Sequence, residues 1–106
     1  MKEVTLAGYV AVHDRAPAFE GSDGRAYSVA IWVDDAPDAR GRFPGALLFV
    51  RWAPDGSEPD GHHETEWLAF GASPADTEAR LGALSLYDVK AHLEERIAAA
   101  TGGEVA

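Results

Sequence analysis

A chain of 106 residues without cysteine is one domain long, and it must build its core without disulfides, thiolate metal sites or a cysteine nucleophile. Hydrophobic residues make up 46% and charged residues 25%, ordinary globular values that argue against wholesale disorder. Eighteen acidic against nine basic side chains give a net charge of −9, the wrong sign for nucleic acid or anionic lipid and an attractive one for a basic protein.

The start, Met1-Lys2-Glu3-Val4-Thr5-Leu6, lacks the basic, apolar and small-residue segments of a secretory signal. No apolar run reaches the roughly 20 residues that span a bilayer. The expectation is a soluble, cytoplasmic protein. Abundant Ala, Gly and Arg beside only two lysines, Lys2 and Lys90, suggest a bacterial genome rich in G and C.

Residues 3–12 alternate, with Val4, Leu6, Val10 and Val12 on one side and Thr5, Ala7, Tyr9 and Ala11 on the other, which predicts a strand. Asp23-Gly24 provides a tight turn. It leads into a second strand over 26–33, with Tyr27, Val29, Ile31 and Val33 opposite Ala26, Ser28, Ala30 and Trp32. A charged loop with two prolines follows over 34–45. Residues 46–52 are apolar on both sides and predict a central strand. A polar turn over 54–61 and a strand over 64–70 complete a long hairpin.

The period then changes. Ser73-Pro74-Ala75-Asp76 is a helix start with a serine cap, a first-turn proline and an acid, and Gly82 predicts that this helix is short. Ser85 opens a second helix whose Leu86, Val89, Leu93, Ile97 and Ala100 form one stripe, with Gly102-Gly103 as the stop. The fold class read from this order is α+β: an antiparallel sheet of four to five strands in hairpins, with one short and one longer C-terminal helix packed on one face. Residues 1–101 read as a single domain and 102–106 as a flexible tail.

Two helices cover one side of such a sheet, yet the strands carry large apolar side chains on both. Tyr9, Trp32, Phe49 and Trp67 are therefore the expected contact residues of an uncovered aromatic face. The reading that follows is an accessory module that binds rather than catalyses, self-associating as a homodimer through that face. An acidic inhibitor or immunity-type protein for a basic target is one alternative, and a small-ligand binder is another.

Candidate chemistry is thin. His62, His63 and Glu64 have metal-ligand side chains, but adjacent residues of an extended chain point apart and no established ligand frame surrounds them. Asp34, Asp35 and Asp38 lack the acid spacing and glycine of a calcium loop. None of Ser22, Ser28, Ser57, Ser73 and Ser85 lies in a nucleophile elbow, and Ser73 and Ser85 read as helix caps. No glycine-rich phosphate loop is present, and no cofactor is implied.

Overall fold

The computed structural model describes residues 4–104, with side chains as far as residue 100. The sheet begins where Asp23-Gly24 reverses the chain. Gly24 takes a φ of 78°, the Gly21 N–H reaches the Arg25 carbonyl at 2.8 Å, and the Asp23 carboxylate accepts from the Arg25 N–H. This turn aligns β1 (Ala18–Glu20) antiparallel to β2 (Ala26–Val33), with Phe19 opposite Tyr27. β2 pairs along its whole length with the central strand β3 (Phe43–Trp52), Val29 opposite Phe49 and Trp32 opposite Ala46. Two short strands share the far edge of β3: β4 (Pro59–Glu64) on its second half and β5 (Ala69–Gly71) on its first. Every pairing is antiparallel.

Helices cover one face of this sheet, as expected. α2 (Pro74–Gly82) starts at the Ser73 cap, whose hydroxyl accepts from the Asp76 N–H, and α3 (Leu86–Glu104) starts with the Ser85 hydroxyl accepting from Asp88. The α3 stripe meets the sheet: Val89, Leu93 and Ile97 join Tyr27, Val29, Leu47, Phe49 and Leu6 in one buried cluster. Ala100 lies beyond it and is exposed. α2 docks through Thr77, a buried residue whose hydroxyl donates to the Phe43 carbonyl at 2.6 Å and accepts from the Gly71 N–H at 2.9 Å. Gly45 and Gly71 leave room for it, since a Cβ on either would fall 2.5 Å from a Thr77 atom.

Three expectations are corrected. The strand expected over 3–12 is replaced, among its described residues, by a helix, α1 (Leu6–His13). Its residues are apolar on every side, so a period of 2 and a period of 3.6 fit them equally. Local chemistry and neighbours decide: the Thr5 hydroxyl caps the Gly8 N–H at 3.0 Å, and Asp14 closes the helix in the left-handed region at φ 53°. Leu6 then enters the core while its N–H bonds the Leu84 carbonyl. Gly82, read as a weak point, is where α1 crosses α2; a Cβ there would approach the Ala7 Cβ to 2.9 Å.

The strand over 64–70 is the second correction, since it is broken into the end of β4 and β5 by an irregular segment at Thr65–Leu68. β4 meanwhile takes residues 59–61 from the turn expected over 54–61. The third is the helix stop. α3 continues past Gly102-Gly103 to Glu104, as two glycines weaken a helix by about 1 kcal/mol each without ending it. Residues 105 and 106 of the expected tail, like residues 1–3, lie outside the described residues. Among the described residues no helix is long and apolar enough to cross a membrane.

Candidate functional site

Among the described residues no helix lies on the sheet's second face. With Tyr27, Val29, Leu47 and Phe49 turned to the helices, alternation turns Ser28, Ala30 and Trp32 of β2 and Ala46, Leu48, Val50 and Trp52 of β3 the other way. A face in contact with water should be polar here. Leu48, Val50 and Trp52 are instead half-buried apolar groups in a row along the central strand. The Trp52 indole N–H is satisfied by the Ser28 hydroxyl at 3.0 Å across the strands.

The irregular segment between β4 and β5 shapes one end of this face. From Leu47 to Gly45, β3 advances two residues, while the facing chain advances four, from Thr65 to Ala69. Both ends of the bulge are pinned. Thr65 exchanges two bonds with the Leu47 backbone at 3.0 Å, one through its own N–H and one through its hydroxyl, and the Leu68 N–H reaches the Gly45 carbonyl at 2.8 Å. The surplus length is Glu66 and Trp67, pushed out of the ladder. Trp67 folds onto Trp32, reaching across β3, with ring centroids 5.1 Å apart and planes inclined by 16°. What separates their strands is Ala46, opposite Trp32 and only 5% exposed. Its methyl group is small enough to lie under both indoles.

The stacked indoles remain 51% (Trp32) and 40% (Trp67) exposed. They border an open groove of about 700 Å³ whose walls include Ala46, Leu48, Glu64 and Glu66. Its rim is acidic. Glu64 has His62 Nε2 at 3.9 Å, and among the described residues no Lys or Arg pairs with Glu64 or Glu66. Five of the described cations are engaged elsewhere, Arg25 and Arg51 with Asp60, Arg42 with Asp38, Arg80 with Asp76, and Lys90 with Glu94, while Arg96 lines a neighbouring pocket together with Glu66.

Trp32 and Trp67 thus lie together on the uncovered face, and the other two expected contact residues do not. Phe49 is fully buried under α3, because its register partner is Val29 on the helix side. Tyr9 is on α1, its ring against His13 at 4.2 Å. The groups that sequence reasoning left out of the face are Leu48, Val50, Trp52 and the two glutamates. Parity would have found the first three, because a pairing that turns Trp32 outward turns out the even-numbered residues of β3.

β4 parts the His62-His63-Glu64 run, so it does not converge on one point. His62 and Glu64 lie opposite Val50 and Leu48 on the open face, while His63 lies opposite Phe49, 5.8 Å from the Tyr27 ring. Burial, with the nearby Arg51 charge, lowers the His63 pKa. Tyr27 is pushed up to about 12 by burial and by the bond its hydroxyl donates to Asp23 at 2.6 Å. Asp60 is held low by Arg51 first and Arg25 second. These groups brace the β1–β2 turn and β4 rather than opening onto a cleft. Comparison with protein-family models, with curated proteins and with solved structures finds no match for the chain.

Proposed function

We propose that this chain is an interaction module that binds rather than catalyses, and that it docks a basic protein partner on its uncovered sheet face. The observation that carries the reading is the Trp32–Trp67 pair, lifted into solvent by a bulge at the head of an apolar strip of Leu48, Val50 and Trp52. Large indoles left half in water forgo about half of the roughly 1.5–3 kcal/mol that full burial of a large apolar side chain contributes, and a partner recovers it. The acidic rim and the net charge of −9 select the sign of that partner. Side chains that sequence reading weighed for chemistry have structural tasks: Ser73 and Ser85 cap helices, and the Ser28 hydroxyl accepts from the Trp52 indole N–H.

The test uses a synthetic extended peptide alternating arginine and valine, titrated by calorimetry. Binding is expected, and Trp32→Ala should weaken it at least about 30-fold, the size of an interface hot spot. Val50→Glu should weaken it too, while Tyr87→Ala, an exposed aromatic on α3, should not. Absence of binding, or binding indifferent to Trp32→Ala and Val50→Glu, overturns the reading.

Self-association through the same face is the second reading, favoured by the continuity of the apolar strip over Leu48, Val50 and Trp52. The acidic rim opposes it, because each copy would bring Glu64 and Glu66 to the contact, and among the described residues no Lys or Arg lines the groove.

A further inference from the structure

We infer that the groove beside the stacked tryptophans is an arginine-accepting subsite, which takes a guanidinium from the partner and holds it between an indole face and the Glu64 and Glu66 carboxylates. The inference rests on the interaction reading above and specifies its chemistry. A guanidinium is planar and weakly hydrated, so it stacks on an aromatic face while its edge N–H groups donate to carboxylates. An ammonium is a compact point charge, which uses the carboxylates but matches the indole plane poorly.

The same molecule contains the completed arrangement. Arg42 lies over the Phe70 ring with its guanidinium carbon 4.5 Å from the centroid, and that guanidinium is paired with the Asp38 carboxylate at 3.2 Å. Aromatic face, cation and acid all come from this chain there. At the Trp32–Trp67 groove the aromatic face is larger, the indoles are stacked and exposed, and two carboxylates line the wall. Among the described residues that line the groove, the one member missing is the cation. Glu64 and Glu66 are exposed side chains outside the core cluster, so altering them should leave the fold intact.

Three versions of the alternating peptide discriminate: arginine, lysine, and citrulline, which keeps the planar shape and loses the charge. Affinity is read by calorimetry and contact with the indoles by tryptophan fluorescence. Arginine should bind about tenfold more tightly than citrulline, with lysine between them, and should perturb the fluorescence most. In a Glu64→Gln, Glu66→Gln double variant, which keeps the indole face, the advantage of arginine over citrulline should shrink to about threefold. Equal binding of both to the unaltered chain overturns the subsite while leaving the docking face standing, and so does an arginine preference that is undiminished in the double variant. If none of the three peptides binds, the docking face falls with it.

Discussion

His63 is the residue at which protonation and folding are most directly opposed. Its ring is set on the helix side of β4, opposite Phe49 and close to Tyr27, with the Arg51 cation nearby. Burial and that charge both disfavour the imidazolium, so the folded pKa lies below the unfolded value of about 6.5. The unfolded chain therefore binds the proton more tightly. Stability is full above the unfolded pKa and falls as pH drops through it towards the folded value. Melting curves between pH 7.5 and pH 5, as approximate working limits, should show a declining midpoint that is flatter in His63→Gln. A slope unchanged by the substitution would mean that His63 is indifferent to its proton. The surface carboxylates contribute in a lower window. Asp60, held low by Arg51 and Arg25, adds stability that is present above its unfolded pKa of about 3.9 and is lost below it.

At the scale of elements, what could be read in the sequence follows from whether local signals agreed with one another. Ser73-Pro74 and Ser85 carry capping chemistry that permits one outcome, and both helices start where those residues stand. β2 keeps its alternation from Tyr27 to Val33 and is a strand over that span. Leu6–His13 had no polar side to establish a period, and the bonds that decide it come from Leu84 and Ser85, remote in sequence. The bulge at Thr65–Leu68 left no trace in the pattern because Trp67, Leu68 and Phe70 continue the apolar character of a strand. Phe49 and Val50 are both large and apolar, so composition could not say which faced the helices, and only the register with β2 does. The bulge and Ala46 together make the indole stack, which leads to a prediction about elements. Ala46→Leu should lift the indoles apart, abolish their exciton-coupled circular dichroism and lower the melting midpoint, since overfilling a site only 5% exposed costs about 1–3 kcal/mol. An undiminished exciton signal would mean that the stack does not depend on its small floor.

For the whole molecule, charge decides between a basic partner and a second copy. β3 is ten residues long, about 34 Å at the antiparallel rise, and the outer axes of four strands lie about 14 Å apart. The open face therefore offers a flat footprint on the order of 500 Å², a limit that bears equally on either occupant. Two copies meeting there also carry −9 each and confront acidic rims. Their repulsion is relieved as salt shortens the screening length from about 8 Å at physiological strength to about 3 Å at 1 M. The attraction for an arginine-bearing partner is weakened by the same screening. The two occupants thus respond to salt with opposite signs. Sedimentation equilibrium at low salt should find a monomer at high micromolar concentration, with any dimer strengthened by salt and removed by Val50→Glu. The arginine–valine peptide should bind most tightly at low salt and lose affinity steadily as salt rises. A tight dimer at low salt, unaffected by Val50→Glu, would place self-association on another surface and leave the acidic tryptophan groove free for its cation.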